Sequence, residues 1–84
     1  MTEQTTYETL SATLRSYARL VASGHADTDL SETERNDVAR TLMLITDAGY
    51  TTRYQAAEDA GNYMARTDMS IVAAQRVYDI ISNV

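Results

Sequence analysis

Length, composition and charge exclude several classes of protein. The chain has 84 residues, a length that predicts one domain over residues 1–84. It contains no cysteine, so disulfides and thiolate metal sites are excluded. Twelve acidic and seven basic residues give a formal net charge of −5. This charge argues against a general nucleic-acid binder, because such proteins neutralise phosphates with basic side chains.

Nothing in the sequence indicates a membrane or export segment. No apolar run approaches the roughly 20 residues that a membrane span needs. Residues 1–6 read Met-Thr-Glu-Gln-Thr-Thr, without the basic start and apolar stretch of a secretory signal. All seven basic residues are arginine, which we interpret as a sign of a GC-rich genome. We therefore expect a cytoplasmic protein of a bacterial or other GC-rich host cell.

The first predicted helix covers about 6–22, and residues 1–5 are expected to be disordered. Thr5 and Glu8 form a capping box, in which a hydroxyl and an acid three residues later satisfy the first free amides. Apolar residues recur along one stripe at helical spacing: Tyr7, Leu10, Leu14, Tyr17, Ala18 and Val21. Gly24 marks the end of this helix.

The second helix has the strongest local signals in the chain. Ser31 with Glu34 forms its capping box, and Gly49 closes it. Its core stripe comprises Val38, Leu42 and Ile45. On a helical wheel Met43 and Leu44 point away from that stripe on opposite sides, so the C-terminal half is apolar nearly all round. This predicts a helix that is central in the bundle or that feeds an interface.

The third predicted helix covers about 53–66 and starts at a weaker capping box, formed by Thr52 with Gln55. One of its faces consists of small side chains and a methionine: Ala57, Ala60, Gly61 and Met64. We expect a neighbouring backbone to approach this face closely.

A fourth helix is predicted over about 69–83. Asp68 can cap it, but no glycine or proline enforces a break near Thr67. A single bent helix in place of helices three and four therefore remains an alternative. Four short helices with short connectors predict an all-α fold, a compact helical bundle.

Two segments match part of a known metal-binding or cofactor-binding motif but lack residues that the motif requires. Asp27, Asp29 and Ser31 begin like a calcium-binding EF-hand loop, but Glu32 and Val38 occupy the positions that require Gly and Glu. A serine at the start of the second helix is similar to the phosphopantetheine-bearing serine of acyl carrier proteins, but its triplet reads Asp-Leu-Ser instead of Asp-Ser-Leu. We expect no metal and no cofactor.

Catalysis is not expected either. The chain has one histidine, no cysteine and no serine or threonine in a nucleophile motif, so only carboxylates remain for acid–base chemistry. Glu32 and Glu34 lie in a first helical turn, where acids stabilise the helix dipole. The chain is therefore predicted not to be an enzyme.

One segment resembles a DNA-binding motif. Residues 55–61 resemble the first half of a helix-turn-helix, in which Ala57 packs between the helices and Gly61 permits the turn. The second half departs from that motif, because Asn62 and Thr67 stand where apolar residues are expected. A small DNA-binding regulator using residues 52–80 is therefore kept as an alternative.

Acidic and tyrosine residues provide the candidates for partner binding. An acid-rich segment over 27–37 suits a basic protein surface. Tyrosine, the only aromatic residue type, is common at interfaces because it combines a large ring with a polar tip. The candidate contact residues are Asp27, Asp29, Glu32, Asp37, Met43, Leu44, Tyr50, Arg53, Tyr54 and Tyr63.

The leading hypothesis is a non-enzymatic protein-binding module. In its narrower form, the chain is a small inhibitor encoded by a phage or mobile element. This inhibitor blocks a basic surface of a nucleic-acid-handling host complex, as an anti-CRISPR protein does. Two alternatives stay open: the DNA-binding regulator, and a homo-oligomeric structural protein, such as a homodimer, that self-associates through Met43 and Leu44.

Overall fold

The computed structural model describes the backbone of residues 2–49 and 52–83, and the side chains of 10–49 and 52–83. These residues form four α-helices and no strand: α1 (Thr2–Ala22), α2 (Glu32–Ala48), α3 (Arg53–Ala65) and α4 (Ile71–Asn83). The predicted all-α bundle is confirmed.

Helix α1 starts earlier than the sequence predicts. It begins at Thr2, so residues 2–5, for which we expected disorder, are helical, and Thr5 lies inside the helix instead of at its N-cap. The segment before Thr5 contains neither glycine nor proline, so nothing in its backbone chemistry ends the helix there. Beyond this segment, the predicted end near residue 22 agrees with the structure.

Helix α2 has the boundaries that its caps predict. The Ser31 hydroxyl accepts from the Glu34 amide at 3.2 Å, and the Glu34 carboxylate accepts from the Ser31 amide at 3.1 Å. At the other end Gly49 adopts the left-handed conformation, with φ of 79°, which favours a residue without a side chain. Local capping therefore fixes both ends of this helix.

Ser31→Ala tests the contribution of that cap. We expect the free energy of unfolding to fall by about 0.5–2 kcal/mol, because the Glu34 amide loses its acceptor. Ser16→Ala, at an exposed position inside α1, is the control and should not destabilise the fold, since alanine is the better helix former. Denaturant unfolding followed by circular dichroism measures both. Equal stability of the two variants would mean that α2 does not depend on this cap.

Helices α3 and α4 are separate. The Thr52 hydroxyl caps α3 by accepting from the Gln55 amide, and the helix ends where the Arg66 and Thr67 amides turn back to the last carbonyl groups. The Ser70 hydroxyl then accepts from the Ala73 amide at 3.1 Å and opens α4. A serine cap, and not the predicted Asp68, therefore divides the two helices.

Helix α2 is the centre of the bundle, as its apolar pattern predicts. It packs against each of the other three helices. Its buried stripe of Val38, Leu42 and Ile45 is joined by Thr41 and Thr46, whose hydroxyls donate to carbonyl groups within the helix at 2.8 Å. The core is completed by residues of α1, α3 and α4, among them Leu14, Val21, Ala60, Val77 and Ile81.

The small face of α3 receives a tyrosine of α4. Ala60 and Met64 are buried, and Ala57 packs against the core. A β-carbon placed on Gly61 would lie 2.6 Å from the hydroxyl oxygen of Tyr78, so only glycine leaves room for that ring in its present position. The close approach expected at this face is therefore made by a side chain.

Candidate partner-binding surface

The connector between α1 and α2 is a structured loop. The His25 amide donates to the Leu20 carbonyl at 2.9 Å, and the Leu30 amide donates to the Asp27 carbonyl at 3.0 Å. Leu30 is buried in the core, and Asp27 adopts a left-handed backbone with φ of 53°, which aspartate tolerates better than most residues. The loop acids are therefore held in defined positions.

Arg76 of α4 binds both of these loop acids. Its Nη1 donates to Asp27 Oδ1 at 2.7 Å, and Nη1 and Nη2 donate to the two carboxylate oxygens of Asp29 at 3.1 and 2.6 Å. The Asp27 side chain is only 10% exposed, whereas that of Asp29 is 64% exposed. Two of the candidate contact residues thus belong to a network within the fold that fastens the connector to α4.

The network shifts the pKa values of its members. Hydrogen bonds from Arg76 lower the pKa of the Asp29 carboxyl, and those to Asp29 and then Asp27 raise the pKa of the guanidinium. Burial, with the negative charge of Asp27 next, raises the pKa of the Tyr17 hydroxyl, which donates to Asp27 Oδ1 at 3.3 Å. At neutral pH Arg76 and Asp29 are therefore charged, and Tyr17 keeps its proton.

Glu34 links the starts of two helices. Besides its capping contacts with Ser31, its Oε2 accepts from the Ser70 hydroxyl at 3.2 Å. The Ser31 amide, and to a smaller extent the Ser70 hydroxyl, lower the pKa of the Glu34 carboxyl. The starts of α2 and α4 therefore lie side by side. Glu32 is exposed at the first turn of α2, and Asp37 is half-buried further along it.

A groove lies between α2 and α3. We call it the α2–α3 groove; it has a volume of about 460 Å³, and its lining residues are Leu44, Ile45, Ala48, Asp59, Asn62, Tyr63 and Arg66. Leu44 is 43% exposed although leucine is a core residue type, and Tyr63 is half-buried against the core. The structure therefore brings together two residues that the sequence selects as contacts, Leu44 and Tyr63.

The remaining candidates lie elsewhere. Met43 is half-buried and packs against the core, whereas its neighbour Leu44 is exposed. Arg53 and Tyr54 are exposed at the start of α3 and do not line the α2–α3 groove. Tyr50 lies outside the described residues, as does the side chain of Tyr7.

A second depression was not anticipated from the sequence. We call it the α4 pocket; it has a volume of about 350 Å³ and is lined by Tyr17, Asp27, Arg76, Asp79, Ile80 and Asn83. Its residues come from α1, from the connector and from one face of α4. The available signal was the arginine at position 76, the only cation of the fourth helix, followed by an acid three residues later.

Neither depression has the composition of a metal centre. Among the side chains of residues 10–49 and 52–83, no group of three acidic, histidine or cysteine residues is arranged to hold a metal ion. Over the described backbone, none of the four helices combines the length and apolar character that crossing a bilayer requires.

In its described part the chain is a small all-α bundle, whose surface includes the α2–α3 groove and the α4 pocket. Comparison with known proteins adds no family to this description: no protein-family model, no curated protein and no solved structure matches the chain.

Proposed function

We propose that this chain is a non-enzymatic protein-binding module that occupies a basic surface of a partner protein. In its narrower form, the proposal is an inhibitor encoded by a phage or mobile element. It acts in the cytoplasm of its host and covers the nucleic-acid-binding surface of a host complex, in the manner of an anti-CRISPR protein.

The observation that carries this proposal is the α2–α3 groove. Leu44 and Tyr63 provide apolar area there, and Asp59, Asn62 and Arg66 provide polar groups around it. Protein interfaces combine the same kinds of residue, with apolar and aromatic side chains at their centre and polar ones at their rim. Burying the exposed part of Leu44 against a partner would also recover hydrophobic free energy that the isolated bundle leaves unused.

Charge supports a basic partner. The chain carries five more acidic than basic residues, and within its acid-rich segment Glu32 is exposed. Asp29 is also largely exposed, but it is paired with Arg76. A surface of this sign accelerates encounter with a positively charged protein. Proteins that handle nucleic acids present such surfaces, because they neutralise phosphates.

The turn of the helix-turn-helix does not lie at Gly61, which is inside α3, and the arrangement of α4 also favours this proposal over the DNA-binding regulator. A recognition helix needs basic or amide side chains that reach base edges and phosphates. Arg76 is the only basic residue of α4, and it binds Asp27 and Asp29 within the fold. Helix α4 therefore has no free basic side chain to contact DNA phosphates, and the negative charge of Asp79 would repel them.

Site-specific crosslinking tests the proposal. A photo-crosslinking amino acid replaces Leu44 in one variant and Leu20 in the other; Leu20 is the matched control, because it is the same residue type on α1 with 47% exposure. Both variants are irradiated in host cells. We expect a basic nucleic-acid-handling protein to be linked at position 44 and not at position 20.

The captured partner then gives a quantitative test. Leu44→Asp should weaken its binding at least tenfold, since it places a charge in an apolar contact, whereas Leu20→Asp should leave binding unchanged. Addition of the unaltered chain should release the partner from nucleic acid. Capture of a second copy of this chain alone would support the homo-oligomeric alternative, and equal capture from both positions would contradict a contact at the groove.

A further inference from the structure

The start of α4 exposes two adjacent aliphatic side chains. Ile71 is 84% exposed and Val72 is 54% exposed, and no other leucine, isoleucine or valine that the structure describes is as exposed as either. Neither helix propensity nor the helix dipole favours isoleucine or valine in a first turn, where acids and unbranched residues stabilise a helix more. The bundle itself therefore gains little from these two residues.

The two side chains line an open depression on the outer side of α4. It has a volume of about 260 Å³, and its lining residues are Ile71, Val72, Gln75, Arg76 and Asp79. On a helical wheel all of them except Arg76 fall within an arc of about 100°, and we call these four residues the Ile71 face. The buried residues of α4 lie on the opposite side of the helix: Ala73, Val77, Ile80 and Ile81. An apolar patch with polar groups at its border is typical of a protein contact.

Two carboxylates without a cationic partner lie at the two ends of the Ile71 face. One is Asp79, two turns along α4. The other is Glu34, which accepts from the hydroxyl of Ser70, the residue directly before Ile71. Neither carboxylate forms an ion pair with a residue that the structure describes. Arg76, the single basic residue of α4, is already paired within the fold, so the surroundings of the aliphatic pair are anionic.

This charge selects among the possible occupants of the face. A two-fold dimer through it would bring the carboxylates of both copies into one interface, where like charges oppose association. The cytoplasmic surface of a membrane carries anionic lipids, which the same carboxylates repel. A protein segment that combines apolar side chains with arginine or lysine would cover the aliphatic pair and also neutralise the carboxylates.

Secondary structure narrows the form of that segment. The described residues form no strand, so they offer no sheet edge to which an extended segment could add. An amphipathic helix instead presents apolar side chains three and four residues apart, and these can enter a depression beside another helix.

We propose that the Ile71 face binds an amphipathic basic helix of a partner protein. The apolar side chains of that helix cover Ile71 and Val72, and its arginine or lysine side chains pair with Asp79 and Glu34. The Ile71 face and the α2–α3 groove have no residue in common, so this proposal and the contact at the groove can fail separately.

Synthetic peptides test the face directly. The probe is a peptide of about 18 residues, or five helical turns, in which leucines form one stripe and lysines fill the remaining positions. It is added to ¹⁵N-labelled protein, and amide chemical shifts are followed by NMR. We expect the shifts to concentrate over residues 70–79. A peptide of the same composition in scrambled order, and one with glutamate in place of lysine, should each bind about tenfold more weakly.

Two pairs of variants separate the face from general attraction. Ile71→Ser should weaken peptide binding about 5- to 10-fold, whereas Leu20→Ser, at an exposed aliphatic position of α1, should leave it unchanged. Asp79→Asn should weaken it about threefold, whereas Glu58→Gln removes the same charge from an exposed position of α3 without effect. All four residues are exposed, so circular dichroism should show an unaltered fold in every variant.

Three results would overturn the proposal. Shifts centred on Leu44 and Tyr63 would assign the peptide to the α2–α3 groove. Equal losses within each pair of variants would reduce the binding to general attraction. Self-association of the chain without peptide, seen by light scattering and abolished by Ile71→Ser, would assign the face to a second copy.

Discussion

Leu42→Ala should lower the free energy of unfolding by about 3–4 kcal/mol, within the range measured when a buried leucine is truncated. Leu42 is completely buried in α2, the helix against which α1, α3 and α4 all pack. A cavity there cannot be closed by moving one neighbour. An 84-residue domain has a total stability of roughly 4–13 kcal/mol, so the loss is a large part of it. Urea unfolding followed by circular dichroism measures the change.

The control for that prediction lies two residues further along the same helix. Leu44→Ala removes the same atoms from a side chain that is 43% exposed, and the loss should stay below about 1 kcal/mol. The two variants share helix, residue type and substitution, so their difference reports burial alone. Similar losses would mean that Leu44 is packed in the bundle and unavailable to a partner.

The helix ends that could be predicted are those defined by local chemistry. Ser31, Glu34 and Gly49 lie within a few residues of the groups they satisfy, so their pattern is readable from the sequence. The break between α3 and α4 stayed open in the sequence because no glycine or proline enforces it near Thr67. Ser70, which caps α4, has no acid three residues later to complete a capping box. In the structure the Ser70 hydroxyl accepts from the Ala73 amide and also donates to the Glu34 carboxylate, 36 residues away, and only the tertiary fold creates that second contact.

The same distinction explains the early start of α1. Thr5 with Glu8 satisfies the capping pattern, but these residues are also compatible with a helix interior. A capping motif indicates where a helix can begin. It does not end a helix that extends beyond it.

The surface was harder to predict than the core. Periodicity identified Val38, Leu42 and Ile45 as buried, because burial follows from the helical repeat. The same wheel placed Met43 and Leu44 on opposite flanks but could not tell which flank another helix covers. In the bundle, Met43 packs against the core and Leu44 borders the α2–α3 groove.

The sequence also does not reveal which charged side chains pair with each other. Asp27 and Asp29 appeared as part of an acidic docking segment because their neighbours along the chain are acids. Arg76, which neutralises much of their charge, lies 49 and 47 residues away. An ion pair at that separation follows from the tertiary fold, so the α4 pocket that it shapes could not be derived from the sequence.

Arg76→Met should lower the free energy of unfolding by about 2–4 kcal/mol at neutral pH. The variant keeps a long apolar stem but leaves the carboxylate of Asp27, nine-tenths buried, without its strongest donor. Removal of one partner of a buried pair costs about 3–5 kcal/mol, and the partial exposure of Arg76 reduces that figure here. The connector also loses its attachment to α4, so amide hydrogen exchange should become faster over residues 25–30.

The fall in the free energy of unfolding caused by Arg76→Met should depend on pH. The carboxylates determine whether it grows or shrinks as the pH is lowered. The pKa of Asp29 is lowered in the folded chain, so the stability it contributes is present above the unfolded value of about 4 and is lost as the pH falls through the folded pKa. Arg76→Met removes this contribution of Asp29, because the guanidinium that lowers its pKa is lost. The two proteins should therefore differ most near pH 7 and converge towards pH 3.

A double-mutant cycle separates the charge effect from lost packing. Asp27→Asn combined with Arg76→Met leaves no buried charge, so it should be more stable than Arg76→Met alone. Glu34 keeps its lowered pKa in every variant, because Ser31 and Ser70 provide its hydrogen bonds, so a common acid-dependent loss should persist. If Arg76→Met were as stable as the unaltered chain from pH 3 to 7, Arg76 would not be what holds the connector on α4. The contacts among Tyr17, Asp27 and Arg76 would then not be what shapes the α4 pocket.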